Sequence, residues 1–125
     1  MATEKVTQMD ARDAGADLSA STNLYKLAKL DANGDLVLGA ASTDFIFGSI
    51  YETAASGLSV SVAVAGLVKV EAGAAINEGV PVTCNASGQA IAAGTGHAVF
   101  GYARVAAAAA GDIITVLVDR GVNAA

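Results

Sequence analysis

The side chains best suited to chemistry are few and isolated in this sequence. His97 is the only histidine and Cys84 the only cysteine among the 125 residues. Neither therefore has the second imidazole or thiol from which a zinc site or a disulfide is built. The segment GTGHAVFG around His97 leads into a β-like run, whereas a phosphate-binding glycine loop leads into a helix. With no Ser/His/Asp or Cys/His arrangement in view, we predict that the chain is not an enzyme and has no catalytic residues.

Cys84 alternates with Val80 and Val82, which is typical of a buried core side chain.

A second candidate site is the segment DANGD at residues 31–35, which begins like a calcium-binding loop. In such a loop glycine follows as position six and glutamate as position twelve, but here Leu36 and Ser42 stand at those positions. A hairpin turn at Asn33-Gly34 explains the same residues, because Asp and Asn side chains accept hydrogen bonds from turn backbone. The sequence thus predicts neither a metal site nor a cofactor.

The composition favours an assembling protein. The chain is 54% hydrophobic and 15% charged, with three Phe, three Tyr and no Trp, so its apolar residues are mostly alanine and valine. Such small side chains bury little area each, and their flat faces suit contacts between subunits. The net charge of -5 disfavours nucleic acid as a partner. No apolar stretch is long enough to predict a membrane span or a secretory signal, so synthesis in the cytoplasm is expected.

Alternating apolar residues predict an all-β domain over residues 24–125. The clearest pattern is LSVSVAVA at residues 58–65, where Leu58, Val60 and Val62 share one face with Val64. Glycine-containing hairpin turns are predicted at Asn33-Gly34 and Ser87-Gly88. The other predicted strands are Leu24 to Leu30, Asp35 to Leu38, Asp44 to Tyr51, Leu67 to Glu71, Val80 to Cys84, Gln89 to Ala92, Ala98 to Val105 and Ile113 to Val118. Short strands at this spacing predict a small β-barrel or sandwich-like domain, similar to a β-tulip.

The β domain also contains an internal repeat. Residues 31–66 align with residues 85–120, at a spacing of about 54 residues, so two related halves are predicted. The alanine run at 106–110 falls on the connection before the last strand of the second half. Five alanines are too few for an isolated helix, and we predict a tight loop there.

Three segments of the β domain resemble the capsid cement, or head decoration, proteins of tailed bacteriophages. These segments are YKLAKLDANGDLVLGAA, GLVKVEAGAAINEGVPVTCNASGQAIAA and FGYARVAAAAAGDIITVLV, which together span about residues 24 to 118. The resemblance implies a structural virion protein on the outer surface of a capsid. Its partners would be the major capsid protein and further copies of itself in a homotrimer, and its role would be to stabilise the shell.

Residues 1–23 show no sustained period of two or 3.6 and are predicted to form an extended N-terminal arm. If the protein is a capsid cement protein, this arm is expected to lie along the capsid or a neighbouring subunit. Its candidate contact residues are the charged side chains Glu4, Lys5, Asp10, Arg12 and Asp13.

Two alternatives of other classes stay open: a small enzyme, which the absence of any acid/base or nucleophile arrangement disfavours, and a module for adhesion or carbohydrate binding. A module for adhesion or carbohydrate binding on the virion would also be a small β domain without catalytic residues. Such modules usually present exposed aromatic platforms, and this chain offers only Tyr25, Tyr51 and Tyr102 besides its phenylalanines.

Overall fold

In the computed structural model, which describes residues 4–123, nine strands and a single 3₁₀ turn form the chain. The 3₁₀ turn is Ser21–Asn23. The strands are β1 (Lys5–Asp13), β2 (Leu27–Leu30), β3 (Leu36–Leu38), β4 (Gly48–Glu52), β5 (Ser59–Glu71), β6 (Pro81–Cys84), β7 (Ala90–Ala92), β8 (Ala98–Ala103) and β9 (Ile113–Val122). The predicted all-β class is confirmed, and the sheet curls into a half-barrel. Within residues 4–123 no helix has the length and apolar character needed to cross a membrane.

All strand pairs are antiparallel and join one sheet in the order β3-β2-β4-β5-β9-β8-β6-β7, with β1 added to β5. The two halves of this order correspond when read inward from opposite edges of the sheet: β3-β2-β4-β5 on one side is equivalent to β7-β6-β8-β9 on the other. The long strand β5 lies at the centre and belongs to both sides.

One edge of β5 pairs with β1, and the other edge pairs first with β4 and then with β9. Val62 pairs with Asp10 of β1 and with Ile50 of β4, so these strands lie on opposite edges. Leu67 pairs with Lys5 of β1 and with Leu117 of β9, so β9 lies on the same edge as β4. β4 and β9 therefore meet along one edge of β5 and diverge from there.

Gly66 bends β5 at the junction between these partners. Its φ is 95°, and a Cβ there would lie 2.8 Å from the Thr7 nitrogen and closer still to the Lys5 carbonyl oxygen of β1. Only glycine accepts both conditions, and such a residue inside a strand is typical of a β-bulge. The two strands predicted at 58–65 and 67–71 are thus one bent strand.

The predicted duplication is confirmed in register as well as in topology. The hairpin pair Leu30 with Leu36 corresponds to Cys84 with Ala90, at an offset of 54 residues from Leu36 to Ala90. The turn glycines Gly34 and Gly88 both have positive φ, 79° and 75°. We call β1 to β4 with the first part of β5 the N-terminal repeat, and the last part of β5 with β6 to β9 the C-terminal repeat.

The alanine run forms a loop between β8 and β9, as predicted. Ala107 is buried and pairs with Ile76, while the backbone of Ala108 and Ala109 donates to the Asp112 carboxylate at 2.8 and 3.2 Å. The aspartate replaces the hydrogen bonds that a helix would supply, so the run turns tightly into β9.

The N-terminal segment differs from the predicted arm. Residues 5–13 form β1, which pairs with β5 from Lys5 opposite Leu67 to Asp13 opposite Ser59. Beyond β1, Ala14 and Leu18 are buried in the core. The segment adopts a strand because the edge of β5 supplies its backbone hydrogen bonds, although its own side chains are mostly polar.

The core has two clusters, one within the N-terminal repeat and one between the repeats. The first joins Ala14, Leu18, Ala28, Leu36, Ile50, Val60 and Val62. The second joins Leu27, Ile46 and Ala63 of the N-terminal repeat to the inner face of the C-terminal repeat, including Val68 and Phe100. The C-terminal repeat therefore packs its inner face against the N-terminal repeat on residues outside that repeat's own core cluster.

Candidate interaction surfaces

The side chains that could have carried chemistry make local hydrogen bonds that support the fold. Cys84 is buried and its thiol donates to the Ala41 carbonyl at 3.1 Å, and burial raises the pKa of the thiol. His97 accepts from the Gly94 nitrogen through Nδ1 at 2.8 Å. Asp31 accepts from two backbone nitrogens of its own hairpin turn, those of Asn33 and Asp35. Within residues 4–123 no three His, Cys, Asp or Glu side chains are grouped as a metal site.

The five candidate contact residues of the predicted arm lie along β1 or just before it, and they are spread over its length. Arg12 lies 3.9 Å from Asp10 and stacks over the Phe47 ring, 5.4 Å from its centroid. Lys5, Arg12 and Asp13 are exposed, whereas Glu4 and Asp10 are partly buried. They form a charged strand along the surface and no compact site.

A half-buried arginine lies where β4 and β9 diverge along one edge of β5, and it bridges the nearby segments by hydrogen bonds. Arg120 donates through Nε to the Ile46 carbonyl at 2.9 Å, and through Nη2 to the carbonyls of Phe47 at 2.5 Å and Val64 at 3.1 Å. Its guanidinium also lies 5.6 Å from the Phe45 ring centroid and 5.3 Å from that of Phe100. Among residues 4–123 no carboxylate lies within ion-pair distance of it. Burial lowers the pKa of Arg120, yet arginine remains charged in proteins.

Beside Arg120 an open groove of about 330 Å³ runs over the N-terminal repeat. We call it the Phe45 groove; its lining residues are Gln8, Asp10, Phe45, Phe47, Val64, Ala65 and Arg120. Phe45 is 66% exposed at the rim, an unusual position for a large aromatic side chain. The groove thus combines aromatic walls with one cation and one carboxylate.

A row of apolar side chains crosses the opposite part of the sheet. Leu67, Leu117, Tyr102 and Pro81 are successive register partners on β5, β9, β8 and β6. Directly opposed side chains point to the same face of a sheet, so the four form one continuous strip, which we call the Tyr102 row. Tyr102 and Leu117 are each 40% exposed. Contiguous exposed apolar side chains make this row a candidate interaction surface.

Neither surface could be predicted from the sequence, because each is assembled from strands far apart in the chain. Two features of the fold that the sequence analysis did not predict, the extension of the repeat into the N-terminal segment and the bend of β5, do have local signals in the sequence. The segment DAGA at residues 13–16 matches EAGA at 71–74, which extends the repeat into the N-terminal segment, and both segments follow strands. The glycine within VAVAGLVKV indicates the bulge that bends β5 at Gly66.

Comparisons with known proteins agree with this architecture. The family model for phage cement proteins matches residues 21–120. Among solved structures, the base of the head fiber gp8.5 of bacteriophage phi29 is similar, with a TM-score of 0.66 and 20% identity. That match covers 92% of this chain and 96% of the other, and at this identity it shows a shared fold. A search of curated proteins gives no match.

Proposed function

This chain belongs to the phage cement protein family, whose members are capsid-binding structural proteins of the virion, and from that membership we propose that it binds the outer surface of the shell as a homotrimer and stabilises it. The family match over residues 21–120 is the observation on which the proposal rests. The acidic composition supports it, since a net charge of -5 suits an outer protein kept apart from the packaged DNA.

Stabilisation follows from selective binding. A protein that binds assembled shell subunits and not separated ones shifts the equilibrium toward the assembled state. At a concentration one hundred times its dissociation constant, this contributes about 2.7 kcal/mol at each site. A homotrimer that touches several shell subunits at once multiplies the effect without needing any single strong contact.

We further propose that the charged strand β1 contributes to binding. Its candidate contacts are Glu4, Lys5, Asp10, Arg12 and Asp13, facing either the major capsid protein or a neighbouring copy. β1 supports this because one of its edges pairs with β5 while most of its side chains are exposed. A paired strand holds these charges in fixed positions, so binding them loses less entropy than ordering a free arm would.

The direct test of the proposed function uses shells assembled without this protein. The purified chain should sediment with them at a saturating ratio of three copies per binding site, and the decorated shells should withstand higher temperature before releasing their DNA. Binding without a gain in rupture temperature would contradict stabilisation. Absence of any binding to shells of the cognate phage would contradict the proposed function itself.

The same sedimentation assay tests the β1 contacts. In the double variant Lys5→Ala/Asp13→Ala, the dissociation constant for shells should rise about tenfold, as expected for the loss of roughly 1.4 kcal/mol of polar contacts. The matched control is Lys26→Ala/Glu78→Ala, which also removes one cation and one anion but at positions outside β1. Equal affinity of both double variants and the wild type would remove β1 from the interface.

A further inference from the structure

The duplication shows how one repeat binds the next within a single chain. In the N-terminal repeat Leu27, Ser49 and Ala63 are successive register partners, and all are at most 2% exposed. Leu27 and Ala63 belong to the core cluster that contains Val68 and Phe100 of the C-terminal repeat. Ser49 adds a 2.6 Å hydrogen bond from its hydroxyl to the Lys69 carbonyl. This row is thus the surface on which the C-terminal repeat sits.

The C-terminal repeat has the equivalent row, and within residues 4–123 its two central side chains stay exposed. By register, Pro81, Tyr102 and Leu117 stand where Leu27, Ser49 and Ala63 stand in the first repeat. The exposed fraction rises from 2% at Ser49 and Ala63 to 40% at both Tyr102 and Leu117. The side chains at these two positions are also larger, as in the apolar centre of a protein interface.

The N-terminal repeat has the complementary surface, also uncovered. The Phe45 groove contains Phe47 and Asp10, the register equivalents of Phe100 and Val68, which are buried in the same core cluster as Leu27 and Ala63 of the first repeat's row. In the N-terminal repeat no row lies over these positions, and an open groove remains. Within the described residues, the C-terminal repeat therefore has an exposed Tyr102 row with no surface packed against it, and the N-terminal repeat has an open Phe45 groove with no row packed into it.

We propose that these two surfaces bind each other between copies of this chain, with the Tyr102 row of one copy packed against the Phe45 groove of the next. The contact continues the established interface between the repeats. It joins unlike surfaces, so every copy gives one row and receives one row, and in a homotrimer three such contacts close into a ring. This inference rests on the proposed homotrimer and identifies the interface that holds it together.

Charge and hydrogen bonding favour a second copy as the occupant. The groove presents the Asp10 carboxylate, and the exposed Arg104 follows Tyr102 of the row by two residues, so the proposed contact brings opposite charges close together. Within the groove, Arg120 has no carboxylate partner in residues 4–123, and the Tyr102 hydroxyl of an incoming row supplies an acceptor. Tyrosine and arginine are the residue types enriched at such interface centres.

Two single variants and their mixture test this contact by light scattering. Leu117→Lys disables the row, and Phe45→Asp disables the groove while placing its new carboxylate beside Arg120. Each variant alone should show a threefold loss of assembly mass, to that of a single chain. Mixed in equal amounts they should form a heterodimer, because one intact row and one intact groove remain. Leu58→Lys, at a site 61% exposed and outside both surfaces, is the matched control and should stay trimeric.

The outcomes separate this inference from the proposed function. Trimers of either single variant, or a mixture that stays monomeric, would overturn the row-to-groove contact, as would a wild type that is monomeric in solution. If the wild type still binds shells in those cases, capsid binding stands and only the row-to-groove contact is removed. A wild type that trimerises through these surfaces but fails to bind shells would contradict the proposed function alone. Circular dichroism of each variant confirms that the β fold is intact.

Discussion

Replacing Gly101 by alanine is expected to lower the free energy of unfolding by about 3 kcal/mol, the upper part of the range for overpacking a core. A Cβ at Gly101 would meet the Leu117 carbonyl oxygen and lie 2.8 Å from a Val116 methyl group. Both belong to β9, which pairs with β8 at this point. The strands must separate to admit the methyl group, and the register of the C-terminal repeat is strained. Denaturant unfolding followed by circular dichroism measures the loss.

Gly121 provides the matched control on the neighbouring strand. A Cβ there meets nothing within 4 Å, and its φ lies outside the left-handed region. Gly121→Ala should therefore leave the unfolding free energy within about 0.5 kcal/mol of the wild type. Similar stabilities for the two alanine variants would show that β8 and β9 are not as close at Gly101 as the structure places them.

Removing the guanidinium of Arg120 should have an effect of similar size. In Arg120→Ala the carbonyls of Ile46, Phe47 and Val64 lose their shared donor, and two aromatic rings lose their cation. Hydrogen bonds to charged groups contribute about 1.5–3 kcal/mol each, and water reaching this half-buried site offsets part of the loss. We expect a net decrease of about 2–4 kcal/mol in the free energy of unfolding.

Two further variants separate the geometry of Arg120 from its charge. Arg120→Lys keeps the charge but lacks the planar fork that reaches three carbonyls, so it should recover only part of the stability. Arg104→Ala removes an arginine from an exposed position and should change stability little. If Arg120→Ala were no less stable than Arg104→Ala, the junction between β4 and β9 would not depend on this side chain.

The strands of the β domain could be predicted because their inward faces are apolar at a period of two. Val60 and Val62 show this pattern and are fully buried. β1 escaped prediction for the opposite reason. At the positions where Val68 and Val70 face the core of the C-terminal repeat, β1 has Asp10 and Arg12, because no second repeat packs over it. Its strand conformation is imposed by the edge of β5, a tertiary influence that local patterns do not contain.

The duplication was visible because turn glycines and strand periods recur at one spacing. The two interaction surfaces were not visible, since the Phe45 groove draws on four separate segments from Gln8 to Arg120. The exposure of Tyr102 and Leu117 also cannot be read from their types, because their equivalents Ser49 and Ala63 are buried although they are smaller and less apolar. What decides burial here is the presence or absence of a neighbouring repeat.

Cryo-electron microscopy of DNA-filled shells incubated with the purified protein tests the central claim most directly. The proposed function predicts added density on the outer surface, formed by three copies around one axis, with each assembly touching more than one shell subunit. Density that is confined to the interior, or a single copy at every site, would contradict binding as an outer homotrimer. Undecorated shells under saturating protein would contradict a capsid-binding role for this chain.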